Sequence, residues 1–449
     1  MTVQLIAARM TASLIALVLG LAANAAAQIS PGAQRPAGMP VPPLTLERVE
    51  QVALENNPTL RQAQAQIDAA RARARQAGAW PNPVIGYSGE EIPLANEVRG
   101  GQHGIFVEQT ILLGGKLRLG RNVFRAEATE ADALAALQRQ RVLNAVRRAF
   151  YQALAAERRV DVQERLSRLI DEAVVVSRQL ANVGAADKPD VLESEVEAFR
   201  ARVALEQAKN RRFGIWRHLT AVMGDPALPV QPLEGSIEAP IPEIDRDAAL
   251  QQVLSRSPEL AAARAATERS RAIVSQSRRT TFPDLFLRGG FSNNRDPLEG
   301  SPSRTLGSQL SFEAGVSVPL FDRNRDGIAA ARADQGRAEA EIKRIELSLQ
   351  SRFAGVYEQY LTALRSSETY RVEILPRAEE AYKLYLARYR EMGAAYPQVL
   401  IAQRSLLQLS DEYLASLDEA WRAAIDMQGL LAMDALAAPP RPGELWNLE

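Results

Sequence analysis

Two very long helical stretches limit what this chain can fold into. Residues 116–182 contain no proline, and residues 326–391 contain only Pro376. In both stretches apolar residues recur at steps of three and four, which is the spacing of a coiled-coil seam. At 1.5 Å per residue each stretch predicts a helix about 100 Å long, whereas the average helix has about 11 residues. The seam residues are Val162, Leu166, Leu169, Ala173, Val176 and Leu180 in the first stretch and Ile342, Ile345, Leu349, Phe353, Val356, Tyr360 and Ala363 in the second.

The same plan occurs twice along the chain. The phrase NPTLRQAQAQIDAARARARQAGAWPNP is matched two hundred residues later by SPELAAARAATERSRAIVSQSRRTTFPDL. Pro58 aligns with Pro258, and Pro83 with Pro283, without a gap. An internal repeat of this length indicates a duplicated architecture. The chain divides into a first repeat, a linker, a second repeat and a tail, at residues 45–223, 224–245, 246–433 and 434–449.

Each repeat opens with a helix, at about residues 46–79 in the first, and continues with two segments that alternate in polarity. The clearest segment covers residues 308–321, where apolar residues at every even position from Leu310 to Leu320 alternate with mostly polar ones. We predict strand pairs at about 83–113 and 283–321, joined by polar loops at 92–103 and 293–305. Strands of about ten residues with one apolar face have the length of outer-membrane strands, although a soluble hairpin lying on a core has the same pattern.

A related phrase follows each long helical stretch, VGAADKPDVL from residue 183 and MGAAYPQVL from residue 392. Gly184 and Gly393 are predicted to end the long helices in the left-handed conformation, and Pro189 and Pro397 to lie in the first turn of the returning helices. Each repeat is therefore predicted to be a strand pair carrying a long helical hairpin. The tips of the two hairpins lie at residues 183–189 and 392–397.

The N-terminus predicts export. Arg9 precedes an apolar run at residues 14–21, and three alanines end at Ala27. This order indicates a signal peptide at residues 1–27, followed by a proline-rich lead at 28–44; an uncleaved membrane anchor is the alternative, for which the run is short. No other apolar run approaches the roughly 20 residues of a spanning helix, so entry into a membrane would require a closed β-barrel.

The inventory of reactive residues argues against an enzyme. Cysteine is absent, and the two histidines lie far apart in any layout of these elements. The segment LLGGKL lacks the first glycine and the final Ser or Thr of a phosphate-binding loop, and GYSGE lacks the spacing of a nucleophile elbow. The formal net charge is zero, which provides no general attraction for nucleic acid. We therefore predict no catalytic residue, no cofactor and no metal site.

Taken together, these features resemble the outer-membrane efflux proteins, the TolC-like family, over residues 44–433. The phrases that carry the resemblance include ILLGGKLRLGR, VGAADKPDVLESEVE, RSPELAAARAATERSRA, VSVPLFDRNRDG and MGAAYPQVLIAQRSLL. Within the family, AGAWPNP and ILLGGKLRLGR are most similar to the branch that serves heavy-metal cation exporters.

The resemblance implies a mixed α/β membrane protein in the outer membrane of a Gram-negative bacterium. Three identical protomers would each supply four strands to one twelve-stranded β-barrel, continuous with a long periplasmic α-helical barrel. The implied partners are a periplasmic adaptor, an inner-membrane transporter of the RND type and outer-membrane lipid, but no nucleic acid. The implied function is a passive exit duct of a tripartite pump, with heavy-metal cations as the first cargo considered and multidrug efflux or type I secretion as alternatives.

The resemblance also implies where partners and cargo meet the chain. The adaptor-docking tips would comprise Val183, Gly184, Ala185, Met392, Gly393 and Ala394. A periplasmic entrance would involve Asp187, Asp190, Glu193 and Gln398. The sequence departs from the family here, because no carboxylate closely follows the second tip, and the acidic residues after the first tip also suit a solvated helix face. An exported helical scaffold or lipid-binding coiled coil without a pore is the alternative from another class, and the alternation at 308–321 argues against it.

Overall fold

The computed structural model describes residues 43–92, 101–298, 301–432 and 435–443. The predicted signal peptide and residues 28–42 of the proline-rich lead lie outside the described residues. The elements of the first repeat are helices α1 (Leu46–Asn56) and α2 (Pro58–Ala77), strands β1 (Val84–Glu90) and β2 (Gln102–Ile111), and helices α3 (Lys116–Asn182) and α4 (Lys188–Met223). Those of the second are α5 (Arg246–Arg256), α6 (Pro258–Arg279), β3 (Asp284–Leu298), β4 (Ser301–Ser317), α7 (Arg325–Thr369), a π-helical turn (Tyr370–Ile374), α8 (Leu375–Arg390) and α9 (Tyr396–Gln428).

The first helix of each repeat is broken, which corrects the prediction of one helix over residues 46–79. Asn57 has an extended backbone, and its side-chain oxygen accepts a hydrogen bond from the Thr59 amide at 3.0 Å. Pro58 provides no amide hydrogen to continue α1 but suits the first turn of α2. Ser257 and Pro258 repeat this arrangement between α5 and α6. A capping residue followed by proline therefore ends one helix and starts the next.

The second long helix contains a π-helical turn, unlike α3, which is continuous from Lys116 to Asn182. Pro376 lies two residues after this turn. A proline inside an α-helix lacks the amide hydrogen and pushes its ring against the carbonyl four residues earlier. The wider turn at Tyr370–Ile374 relieves that clash, so α7 and α8 continue as one rod through the proline.

The four strands form one antiparallel sheet in the order β1-β2-β3-β4. β3 and β4 extend through most of the segment that was predicted as a polar loop at 293–305, where Pro297 pairs with Thr305 and Leu298 with Ser301. The prediction of a loop was wrong because it was based on polarity alone. Neither face of this sheet packs on a core, so polar residues can continue the strand pair. The ladder continues as long as each strand supplies hydrogen-bonding partners to the other.

The helices continue the strands in the same lateral order. α2 leads into β1, β2 into α3, α6 into β3 and β4 into α7, and α2 packs on α3, α3 on α6, and α6 on α7. All four junctions lie at one end of the sheet, as the register of Val84 with Glu108 and of Asp284 with Ser317 requires. The duplicated plan thus yields a single layer in which every strand is extended by a helix.

Buried clusters hold the two repeats together. In the first, α1, α3, α4 and α9 meet around Val146, Phe150, Leu219 and Trp421. The indole nitrogen of Trp421 donates to the carbonyl of Ile237 at 2.8 Å, which fastens the linker to this core. A second cluster joins α5, α6, α7 and α9, and a third joins α3, α8 and α9 near the tips. Among the described residues, no helix is both long enough and apolar enough to cross a membrane.

Candidate functional site

The first tip is a helix ending of the Schellman type. Gly184 has a φ of 76°, its amide donates to the carbonyl of Ala181 at 3.0 Å, and the Ala185 amide donates to Leu180 at 2.8 Å. Side-chain space does not require glycine here, because a Cβ added to Gly184 would meet no atom within 4 Å. The left-handed backbone favours glycine, since other residues adopt this conformation at a cost of about 1–2 kcal/mol. Val183 beside it is 73% exposed.

The second tip has the same backbone geometry, but its left-handed residue lies one position earlier than predicted. Met392, with a φ of 57°, takes the left-handed position, while Gly393 does not. The Gly393 amide donates to the carbonyl of Arg388 at 2.7 Å and the Met392 amide to Tyr389 at 3.1 Å, which completes the motif. The prediction for Gly393 was therefore wrong. Counting back from the prolines reveals the shift, because both Gly184 and Met392 precede the tip proline by five residues.

Five acidic residues lie in or just after the first tip, and they differ in whether a basic side chain pairs with them. Glu195 is held by Arg178 at 2.6 Å, and Glu193 lies 4.0 Å from Arg404. In the described part of the chain, Asp187 and Asp190 form no ion pair. The remaining candidate at the entrance, Gln398, is exposed at the start of α9. Of the predicted entrance residues, Asp187 and Asp190 thus provide the uncompensated charge.

Glu197, the fifth acidic residue, forms a contact that the sequence did not reveal. It is 4% exposed and joins α4 to α9, because its Oε1 accepts a hydrogen bond from Arg404 at 2.5 Å. Arg200 donates to the same oxygen at 2.8 Å. A buried carboxylate needs such partners, since an unpaired charge in this position would be strongly unfavourable. The two return helices are therefore connected by charge near the tips.

Tyrosines fasten the second hairpin to α3. The hydroxyl of Tyr382 donates to the carbonyl of Leu169 at 3.0 Å, and that of Tyr389 donates to Ser177 at 3.2 Å. Burial, together with the nearby charge of Glu172, raises the pKa of Tyr382 to about 12. Both phenols therefore stay protonated at neutral pH and remain donors. The tip half of the molecule is held by specific polar contacts as well as by apolar packing.

One face of the sheet is apolar and exposed. The register places Tyr87, Ile105, Phe291 and Leu310 in one row across the four strands. Leu310 is 85% exposed and Phe312, on the same face, 74%. A soluble sheet turns such a face towards a core, and no described element covers this one. The face comprises Ile85, Tyr87, Ile105, Val107, Leu285, Leu287, Phe291, Leu310, Phe312 and Val316.

The opposite face of the sheet is polar. Glu108 pairs with Arg288, and Arg288 with Glu313, so that three charges lie in one row. The guanidinium carbon of Arg288 lies 3.9 Å from the centre of the Phe106 ring, a cation–π contact that fixes its position. The sheet therefore has one side suited to an apolar environment and one suited to water.

The described residues contain no group of three or more His, Cys, Asp or Glu side chains that could hold a metal ion. His103 contacts the hydroxyl of Tyr87 at the sheet, whereas His218 lies on α4.

The two repeats identify the family. Residues 49–225 and 249–432 match the sequence profile described as "Outer membrane efflux protein". The chain belongs to the outer membrane efflux protein family. Members of this family are passive channels and not enzymes, and membership supports a location at the outer membrane. The duplicated match agrees with the two strand-and-hairpin units of the structure.

Individual relatives support the same assignment. The cobalt-zinc-cadmium resistance protein CzcC of Cupriavidus metallidurans is 26% identical over 393 residues, which cover 87% of this chain and 90% of CzcC. A crystal structure of a membrane protein from Pseudomonas aeruginosa has a TM-score of 0.72 at 22% identity and covers 86% of this chain and 92% of its own. A CusC structure has a TM-score of 0.67 at 17% identity and covers 91% and 100%. These structures share the fold of this efflux protein.

Proposed function

We propose that this efflux protein is the outer-membrane exit duct of a tripartite pump and that it assembles as a homotrimer. Three copies would supply four strands each to a twelve-stranded β-barrel, and their helices would enclose a periplasmic tunnel. The observation that carries the proposal is the sheet, which has an exposed apolar face, a polar face and two unpaired outer edges. Lipid would cover the apolar face, water would cover the polar face, and neighbouring copies of the chain would pair with the two edges.

The apolar face supports contact with lipid. Strands β2, β3 and β4 have 10, 15 and 17 residues and so reach the roughly 9–11 that a strand crossing an outer membrane needs, whereas β1 has 7. An exported scaffold in water would have no use for this face, because large exposed apolar patches favour aggregation. The scaffold alternative is therefore disfavoured.

The sheet edges support closure by copies. β1 and β4 are the outer strands, and each pairs with one described strand. Unpaired backbone amides and carbonyls are not tolerated in lipid, and a sheet of four strands is too narrow to close on itself. Pairing of β4 of one copy with β1 of the next removes both edges at once. The assembly would then be cyclic, and the family resemblance suggests three copies.

The helical layer has matching open sides. Leu192, Val196, Phe199 and Val203 form an exposed apolar stripe along α4, whose buried side packs mainly on α3. On the other side of the layer, Val372 and Leu384 are also exposed. Neighbouring copies would bury both stripes in the same cyclic arrangement that closes the sheet.

The tips suit a docking role for a periplasmic adaptor. Val183 and Met392 are exposed apolar residues next to backbone that small side chains leave accessible. An adaptor that contacts both tips would link the duct to an inner-membrane transporter, for which we propose the RND type. Asp187 and Asp190 would lie at the periplasmic entrance.

For the cargo we propose heavy-metal cations. CzcC is named as a cobalt-zinc-cadmium resistance protein and matches this chain over most of its length. A duct requires no metal ligands of its own, because its cargo passes through without being held.

The proposal is tested by washing membranes with alkaline carbonate and by planar-bilayer recording of the purified protein. A duct stays with the membrane and gives stepwise conductance, whereas a peripheral scaffold is released and conducts nothing. Deleting the gene should sensitise cells to cobalt, zinc and cadmium. Unchanged metal tolerance together with sensitivity to hydrophobic drugs would contradict the metal cargo and favour multidrug efflux.

A further inference from the structure

The four junctions between helices and strands carry a net positive charge, although the chain as a whole is neutral. The chain as a whole has 54 basic and 54 acidic residues. The segments 75–82, 112–121, 278–284 and 318–326 together contain eight basic residues and three acidic ones. These segments join α2 to β1, β2 to α3, α6 to β3, and β4 to α7. Positive charge is therefore concentrated at one end of the sheet.

Several of these basic residues oppose the local helix electrostatics. Lys116 and Arg118 lie in the first turn of α3, where the helix dipole favours negative charge, and that turn has no acidic residue. Arg323 and Arg325 lie at the start of α7, where the dipole also disfavours positive charge and Asp326 in the first turn offsets part of it. Local helix stability therefore does not explain the presence of these four basic residues.

Internal contacts explain some of the charges but leave five arginines over. Lys116 is held by both oxygens of Asp284 at 2.8 Å, and Arg121 donates to the carbonyl of Gly78 at 3.1 Å. The guanidinium carbon of Arg279 lies 5.6 Å from the centre of the Phe282 ring. The other five basic side chains are exposed, and within the described residues they form no hydrogen bond or ion pair. We call this set the basic collar; its members are Arg75, Arg118, Arg278, Arg323 and Arg325.

Aromatic side chains lie between the basic collar and the strands. Trp80 precedes β1, Phe282 precedes β3 and Phe321 follows β4, and all three are exposed, Phe321 completely. Aromatic residues concentrate at the level of lipid headgroups on both sides of membrane proteins. The order along the molecule is thus apolar sheet, aromatic residues, and then unpaired positive charge.

We propose that the basic collar binds the phosphate groups of anionic phospholipids in the leaflet next to the helices. The collar lies at the end of the sheet, where the headgroups of a bilayer around the apolar face would begin, and its positive charge is complementary to phosphate. This contact would fix the depth of the sheet in the bilayer. The inference rests on the proposed membrane insertion of the sheet.

The test reconstitutes the full chain in vesicles of equal parts phosphatidylglycerol and phosphatidylcholine, with bromine on the acyl chains of one lipid at a time. The signal is the fluorescence of Trp80, obtained by subtracting the signal of a Trp80→Phe variant, because the chain contains three other tryptophans. Two of these, Trp216 and Trp421, are buried in the helical core. We expect brominated phosphatidylglycerol to quench Trp80 more strongly than brominated phosphatidylcholine does. The difference should correspond to a local enrichment of phosphatidylglycerol of at least about fivefold, which is the factor expected for one basic residue near an anionic surface.

The variant Arg118→Gln/Arg323→Gln/Arg325→Gln should lose this enrichment, and the corresponding lysine variant should retain it. A matched control replaces three exposed arginines away from the collar, Arg139, Arg256 and Arg365, and should behave as the unmodified chain. Equal quenching by the two lipids, or the same enrichment in the glutamine variant and the control, overturns the proposal while leaving the duct intact. Absence of quenching by either lipid overturns both, because the sheet is then not in the bilayer.

Discussion

Arg404 of α9 donates to the buried carboxylate of Glu197 on α4 at 2.5 Å, so a single side chain connects the return helices of the two hairpins. Arg404 is half exposed, and Glu197 keeps a second partner in Arg200. Replacing Arg404 with Gln should therefore cost only about 1 kcal/mol of local stability. Hydrogen exchange should accelerate about fivefold, and only in the tip segments of α4 and α9. Arg211→Gln, an exposed arginine of α4, is the control; equal exchange in both variants would show that the contact contributes nothing.

Gly184 and Met392 have the same left-handed backbone, so removing glycine from the first tip and introducing it into the second should have opposite effects on stability. Met392→Gly should stabilise the second tip by about 0.5–1 kcal/mol, because glycine adopts this backbone without strain but loses more entropy on folding. Gly184→Ala should destabilise the first tip by about 1 kcal/mol. Gly393→Ala should change little, since its added Cβ would lie 3.6 Å from the nearest atom and its φ is not positive. Hydrogen exchange at the tips measures all three, and a larger loss for Gly393→Ala than for Gly184→Ala would contradict this assignment.

Two buried carboxylates predict how stability depends on pH. Burial raises the pKa of Glu130, whose oxygens accept from Arg269 at 2.6 Å and from the Gly443 amide at 3.0 Å. Burial likewise raises the pKa of Asp426, which faces Arg148 at 3.5 Å. The ordinary pKa values are 4.5 for Glu130 and 3.8 for Asp426. Between each ordinary pKa and the raised one, the folded state binds more protons than the unfolded state. Both groups therefore make the free energy of unfolding fall as pH rises.

Replacing both groups, in Glu130→Gln/Asp426→Asn, should therefore flatten this fall, by at most about 1.4 kcal/mol per pH unit for each group. Denaturant unfolding of the detergent-solubilised protein between pH 4 and 8 measures the slope. Glu380→Gln, at an exposed position of α8, should leave it unchanged. A steeper decline in the double variant would contradict the sign.

The two faces of the sheet predict different tolerance for charge at neighbouring positions of β4. Phe312→Lys places a charge on the apolar face and should cost about 2 kcal/mol if that face contacts lipid. Ser311→Lys places the same charge on the polar face and should have little effect. Unfolding by urea from vesicles compares the two variants. Equal losses would indicate that the apolar face does not lie in the bilayer.

Long-range periodicity was the part of the fold that the sequence predicted well. α3 begins at Lys116 and ends at Asn182, as the proline-free stretch indicated, and the seam residues Ala173, Val176, Ile345 and Leu349 are buried. A signal repeated over many turns averages out local exceptions. The family assignment followed from the same repetition and is confirmed by the match of both repeats.

The parts that the sequence did not predict depend on single residues or on distant partners. Asn57 caps α2 and breaks the first helix, and Met392 adopts a conformation for which methionine has no preference. The contact between Glu197 and Arg404 joins residues that are 207 positions apart. Periodicity identifies which face of a helix is apolar, but it does not identify which charged residue meets which. The docking role of the tips stays a prediction.

In the proposed assembly, copies of this chain close both the open sheet and the open helical layer. Native mass spectrometry of the protein extracted in mild detergent counts the chains in one particle. We expect three chains per particle. A particle of one chain, stable after the detergent is exchanged, would contradict it.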